Sequence, residues 1–290
     1  MTLTLTPPLA QPDNALACGS APGSAAPAGR LFDVDCKLTY TVTGPSDFVF
    51  QIHALDGDDQ VVVFESLTLT PPVLAHVFAD PTQRHRFLRV HLEACNFELC
   101  YQAQVCRTVQ PLDLAAAELP IAQLPDHLLH NLMPTRYCES DLLSQDAQRL
   151  FGGLPGGHAR VAAICDWIHT NVKYQIGSTT ATTTAADVFK QRAGVCRDFA
   201  HLGVTFCRAL NIPARLVVGY ARFDEPPPDF HAVFEAFLGG RWVLFDATRM
   251  SPLDELVRIA SGRDAKDVAF ATIFGPAQMT SMNPLVTPSP

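Results

Sequence analysis

The sequence predicts an α+β protein, with a β-sandwich domain on the N-terminal side of a segment that combines a cysteine-bearing helix with three strands. Three observations predict this. Residues 31–110 are strand-length runs of alternating apolar and polar residues, separated by turn formers. Residues 193–215, AGVCRDFAHLGVTFCRALNIPAR, read as a helix with Cys196 at its mouth and an Asn-Ile-Pro stop. Three strand-length runs follow, at 214–223, 231–238 and 241–248, and the last two are joined by Gly239-Gly240, a two-residue hairpin turn.

Composition narrows the class. A chain of 290 residues with 48% hydrophobic and 17% charged residues suits a globular protein with a sizeable core, in one large or two ordinary domains. The net charge of -8 and the lack of any basic run argue against nucleic acid as a partner. No apolar run is long enough to span a bilayer, so no membrane partner is expected. The N-terminus has neither a positive n-region nor a continuous apolar segment, so no signal peptide is expected and the cytoplasm is the default location. Nine cysteines without a C-x-x-C spacing indicate neither a zinc ribbon nor a redox motif. Cys95, Cys100 and Cys106 beside His91 are better read as small buried hydrophobes in strands than as metal ligands. Neither a metal nor a cofactor is expected, and reduced thiols fit the cytoplasm.

In chain order, residues 1–30 are rich in Ala, Pro, Gly and Ser and read as a mobile tail. The β-rich domain covers 31–112. Its runs LFDVDCKLTYTV, FVFQIHAL, VVVFESLTL, FLRVHLEA and ELCYQAQVCRTV are punctuated by Gly44-Pro45-Ser46-Asp47, by 56–59 and by Pro71-Pro72. A connecting segment, 113–157, ends in FGGLPGG, with Asp141 or Ser144 as caps of a short helix ending near Leu150. Residues 158–174 form a helix whose stripe is Val161, Ile164, Cys165, Ile168 and Val172. A Ser/Thr loop and a short helix from Thr184 follow, then the helix from Cys196 to Leu210, buried through Phe199, Ala200, Gly203, Val204 and Cys207. Beyond the three strands, a helix-bearing segment is expected at 252–260 and a strand at 268–274. A catalytic domain thus spans 158–275, and 276–290, with four prolines, reads as a tail.

A thiol becomes a good nucleophile as its thiolate. A helix N-terminus and a neighbouring imidazolium both favour that form. Cys196 has the first by position, and the hairpin offers the second. With a two-residue turn at 239–240, Leu238 faces Arg241 and His231 faces Thr248, so Asp246 is the diagonal neighbour of His231 on one face. Such a carboxylate can orient the imidazole and stabilise its charge, which is the logic of a catalytic triad. The Cys196 N–H is a natural oxyanion donor, and Tyr174 or Gln175 are candidates for a second. Cys165 and Cys207 lie on apolar stripes and belong to the core. Asp198 reads as a favourable charge in a first helical turn, and Arg197 and Arg263 as solvated or ion-paired.

GVCRDFAHLGVTFCRALNIPARLVVGY and the later HAVFEAFLGGRWVLFDATRM resemble the core motifs of the transglutaminase-like superfamily of cysteine peptidases and acyl transferases. WIHTNVKYQIGSTTATTTAADVFKQRAG resembles its bacterial branch, and the likeness covers roughly 155–275. It implies a papain-like α+β core, the Cys-bearing helix packed on an antiparallel sheet, with Cys196 as nucleophile, His231 as base and Asp246 as orienting acid. It also implies a peptide or protein substrate, or a small amide, attacked through a thioester. Residues 31–110 resemble the N-terminal β-domain of bacterial members. The chain departs from the family where Ala232-Val233 stand in place of a Trp after the His, and where Ala247 stands in place of a Pro.

The favoured reading is a cysteine-dependent amide or peptide hydrolase. Two others use the same residues: acyl transfer from protein glutamine to an amine, and a catalytically silent protein that binds a peptide or partner in the groove. The residues do not specify an oligomeric state.

Overall fold

The computed structural model describes residues 29–57, 59–80, 85–223 and 229–289. The expected tail at 1–30 and the expected loop at 225–229 therefore lie largely outside the described residues, and Arg30 already opens a strand.

Strand β1 (Arg30–Val42) shows why the first unit is a sheet. Phe32, Val34, Cys36, Leu38, Tyr40 and Val42 are all buried and every second residue points out, the period of a half-buried strand. β2 (Ser46–Phe50), β3 (Gln60–Thr70), β4 (Ala75–Ala79), β5 (Arg86–Leu92) and β6 (Cys95–Arg107) follow. Tyr40 of β1 meets Phe48 and Phe50 of β2 edge-on, and Phe97 of β6 completes an aromatic cluster between two sheets. The domain is a β-sandwich, as expected.

The connecting segment folds into 3₁₀ turns at Ile121–Gln123 and Asp126–Leu132 and a short helix, α1 (Ser144–Phe151). Helix α2 (His158–Asn171) buries Val161, Ile164, Cys165 and Ile168, the expected stripe. It runs into β7 (Lys173–Tyr174). Helix α3 (Ala185–Gln191) is capped by Thr184, whose hydroxyl accepts from the Asp187 N–H while the Asp187 carboxylate returns to the Thr184 N–H. β8 (Ala193–Gly194) pairs parallel with β7 and leads into α4 (Cys196–Ala209).

The sequence suggested that α4 buries one face. In the structure every residue from Asp198 to Arg208 is buried, because α1, α2 and α3 enclose the helix on the sides that the sheet leaves open. The polar residues this traps are bonded: Thr205 donates to the His201 carbonyl, and Arg208 donates to the carbonyls of Met133, Ala214 and Arg263. Gly203 allows the closest approach to the sheet, since a Cβ there would lie 2.5 Å from the Phe234 ring. Asn211 ends the helix at φ 63°, a left-handed stop that Asn tolerates.

The second sheet, in the order β11-β10-β9-β12, is built from β9 (Ala214–Tyr220), β10 (Phe230–Leu238), β11 (Arg241–Phe245) and β12 (Val257–Gly262). Leu238 pairs with Arg241 and Phe234 with Phe245, the register expected for the Gly239-Gly240 turn. The expected helix at 252–260 is corrected: only Leu253–Glu255 makes a 3₁₀ turn, and Val257–Gly262 pairs antiparallel with β9 as an edge strand.

The end of the chain corrects the domain boundaries. β13 (Ala271–Phe274) pairs with β2, and β14 (Ala277–Pro288) runs antiparallel along β1. The segment from 271 onward thus completes both sheets of the N-terminal sandwich; the expected catalytic domain up to 275 and the tail at 276–290 do not describe it. Pro284 and Pro288 obscured the strand. They are tolerated because β14 is at the edge of its sheet, in the order β14-β1-β6-β3. The two units also share hydrogen bonds: the Tyr220 hydroxyl donates to the Ile52 carbonyl at 2.6 Å, and Gln60 bonds the backbone of Arg258 on both sides. No helix among the described residues is long and apolar enough to cross a membrane.

Candidate active site

Cys196 is the first residue of α4 and is half-buried, while Cys165 and Cys207 are buried in the core. Its Sγ lies 4.0 Å from the Phe230 carbonyl, which places it at the start of β10, beside His231. The turn that delivers it is fixed by Asp198. That carboxylate reaches back to the Val195 N–H at 2.9 Å and accepts from the Thr179 hydroxyl at 2.7 Å. Arg197 donates to the same carboxylate and to the Thr180 carbonyl, so the Ser/Thr loop is tied to the helix start. Asp198 is therefore more than a dipole partner: at 1% exposure it holds together the approach to Cys196. Arg197 and Arg263 are ion-paired, with Asp198 and Asp267.

His231 Nε2 and Asp246 Oδ2 are 2.9 Å apart, with both side chains almost fully buried. The hairpin delivers the pair as its register predicts, with Asp246 one residue beyond the end of β11. Oδ1 of Asp246 accepts from the N–H of Thr248 at 2.8 Å and from its hydroxyl at 2.7 Å. The carboxylate is thus held from both ends. Thr248 was missed as a supporting residue, although Asp-x-Thr is a recognisable pattern for a side chain that folds back on its own backbone.

Burial opposes charge on His231, but hydrogen bonds to Asp246 and Cys196 outweigh it and raise the imidazole pKa to about 10. Burial also works against the Asp246 carboxylate, yet His231 and Thr248 hold its pKa below the usual 3.8. The signs give the pH window. The His231 contribution to stability is complete below its unfolded pKa near 6.5 and fades as pH rises through about 10. The Asp246 contribution is present above 3.8 and fades as pH falls below it. Titration of the His231 ring followed by NMR is expected to give the order wild type, then Cys196→Ala, then Asp246→Asn, from highest pKa to lowest. Equal values in all three proteins would contradict the assigned causes.

Tyr174 reaches the site through the two-residue parallel pair in which it faces Gly194. Burial raises the pKa of its phenol, and the Cys196 thiol adds to this. Its phenol lies near enough to Cys196 for both the backbone and the side chain of that residue to perturb it. Gln175 does not join the cluster: it is exposed, and its backbone N–H is bonded to the Gly194 carbonyl at 2.9 Å. Phe223 lies against the His231 ring, with centroids 5.7 Å apart, another contact that the sequence did not reveal.

Residues 145–247 match the family model for the transglutaminase-like superfamily, and residues 31–127 match the model for the bacterial transglutaminase N-terminal domain. A crystal structure described as a candidate cysteine protease from Cytophaga hutchinsonii is 43% identical, with a TM-score of 0.84 over 90% of this chain and 91% of that one. Among curated proteins, an uncharacterized protein of Mycobacterium leprae is 31% identical over 119 residues, 38% of this chain and 42% of that protein. An uncharacterized protein of Mycobacterium tuberculosis H37Rv is 33% identical over 115 residues, 35% of this chain and 37% of that protein. The matched region thus spans less than half the length of these curated relatives.

Proposed function

This chain belongs to the transglutaminase-like superfamily, and on that premise we propose that it hydrolyses amide bonds of peptides or proteins, with Cys196 as nucleophile, His231 as acid and base, and Asp246 as the residue that orients His231. The observation that carries the reading is the line from Asp246 through His231 to Cys196 at the mouth of α4. Asp246 occupies Nε2 of the imidazole, so Nδ1 is the nitrogen left for the thiol.

The chemistry follows from these positions. Cys196 gives its proton to His231, and the sulfur attacks the amide carbonyl carbon. A C–S bond forms as the carbonyl electron pair moves onto oxygen. The Cys196 N–H and the Tyr174 O–H are the two donors for that oxyanion, and the raised pKa of Tyr174 keeps its proton available. When the intermediate collapses, the C–N bond breaks and His231 returns its proton to the leaving amine. Water, deprotonated by His231, then attacks the thioester and releases the acid and the thiol. Because the leaving amine takes its proton from the imidazolium, activity is expected to fall as pH rises through about 10.

Alkylation followed by mass spectrometry tests the nucleophile directly. Iodoacetamide is expected to label Cys196 well before Cys207, which burial keeps inaccessible and in its thiol form. In His231→Ala, the labelling of Cys196 at neutral pH should slow strongly. Equal labelling of the two cysteines, or an unchanged rate in His231→Ala, contradicts an activated thiol.

A further inference from the structure

Asp229 directly precedes β10 and stands two residues before His231. The alternation of a strand turns both side chains to one face, about 7 Å apart along the chain. The residue between them is Phe230, whose carbonyl lies 4.0 Å from Cys196 Sγ. Asp229 is exposed, whereas the side chains of His231 and Asp246 are almost fully buried. Its carboxylate therefore stands at the mouth of the site, where its charge acts on the Tyr174 phenol as well as on His231.

The charges around Asp229 leave it without a cation of its own. Among the described residues only His231 acts on it as a positive charge. Arg222, the nearest arginine in the chain, is paired with Glu255 at 3.0 Å, and Arg197 beside Cys196 is paired with Asp198 at 3.0 Å. The His231 imidazolium is already bonded to Asp246 and to Cys196. Once the thiolate forms, two negative groups match that one positive group, so Asp229 is an excess negative charge. Its surroundings make this costly. Partial burial raises the Asp229 carboxyl above its usual 3.8, and the Phe230 N–H and the His231 charge offset only part of the penalty. Aromatic rings stand nearby: Phe223 is 5.7 Å from the His231 ring, and Tyr174 is within reach of the Asp229 charge. The face of such a ring attracts a cation.

We propose, resting on the reading of Cys196 as the reactive thiol, that Asp229 sets the specificity of this site by taking an alkylammonium group of the substrate. A lysine side chain next to the scissile amide, on its acyl side or on its amine side, supplies that chemistry. The ammonium neutralises the excess carboxylate, and its methylene stem has Phe223 and Tyr174 to pack on. A carboxylate in the same place meets Asp229 as a like charge and is rejected.

Two measurements on the full chain test this, and the first needs no turnover. Three methanethiosulfonates, the cationic 2-aminoethyl, neutral methyl and anionic 2-sulfonatoethyl compounds, are compared by their rates of disulfide formation at Cys196. Each rate is divided by that of the same reagent with 2-mercaptoethanol, which removes intrinsic reactivity. The ratio of cation to anion is expected to fall about fivefold in Asp229→Asn and further in Asp229→Lys. A ratio unchanged in both variants overturns the proposal. Hydrolysis is then measured for two sets of peptide amides, with Lys, norleucine or Glu on the acyl side or on the amine side of the scissile bond. The wild type is expected to favour Lys over norleucine about tenfold in kcat/KM in one set, which identifies the side that the ammonium occupies. In that set Asp229→Lys should favour Glu. The Lys preference is read on the wild type, so it stands as a test even if a variant fails to fold. No preference for Lys in either set overturns the proposal, and so does a preference that survives Asp229→Lys. Hydrolysis of none of the peptides, with the reagent ratio still set by Asp229, sinks the hydrolase reading and leaves the ammonium subsite supported.

Discussion

Replacing Cys196 with Ala is expected to lower kcat for amide hydrolysis by on the order of 10⁴-fold or more, with little change in melting temperature. On the proposed mechanism, loss of the nucleophile removes the whole thioester route and leaves only binding and the oxyanion donors. The fold should tolerate the change because Cys196 is half-buried at a helix start and the turn is held by Asp198, not by the sulfur. The control is Cys207→Ala: it deletes a fully buried core side chain and should lower stability while leaving the chemistry in place. Steady-state kinetics on a peptide amide, with thermal melts of both variants, separates the two outcomes. Activity retained in Cys196→Ala would place the nucleophile elsewhere.

Asp246→Asn is expected to cost about 10²–10⁴-fold in kcat, with a smaller effect on KM. The geometry gives the reason. One oxygen of Asp246 serves His231, and the other accepts from both the N–H and the hydroxyl of Thr248. An amide has one oxygen and one NH₂, so it cannot accept on both sides. If its oxygen stays with His231, the NH₂ faces the Thr248 N–H, which cannot become an acceptor. If it flips, the NH₂ faces the ring and favours the wrong tautomer. In either case the imidazolium loses the negative charge that holds its pKa high, and its high-pH limit should move down from about 10. A pH–rate profile distinguishes this from a purely structural loss, which would lower the rate without moving the limb.

Much of this site could be read from local rules. The two-residue turn at Gly239-Gly240 fixes the parity of both strands, so the His231–Asp246 pair followed from counting. Period-2 alternation made β1 legible, and the Asn-Ile-Pro stop marked the end of α4. What stayed hidden depends on pairings between distant segments. β14 carries two prolines and only weak alternation, and it is a strand because β1 offers it an unpaired edge. Val257–Gly262 became a strand against β9, although its sequence suggested a helix. Tyr174 arrives at Cys196 through a parallel pair only two residues long, too short to leave a pattern. The burial of α4 on every side came from helices packed around it, not from its own periodicity.

The proposed mechanism requires a covalent acyl group on Cys196. Rapid-quench mass spectrometry of the wild-type chain with an activated acyl ester tests it most directly. An adduct of the acyl mass is expected on the Cys196 peptide; it forms faster than it decays, is discharged by water, and is absent in Cys196→Ala. Turnover without any adduct, or an adduct carried by another residue, would contradict it.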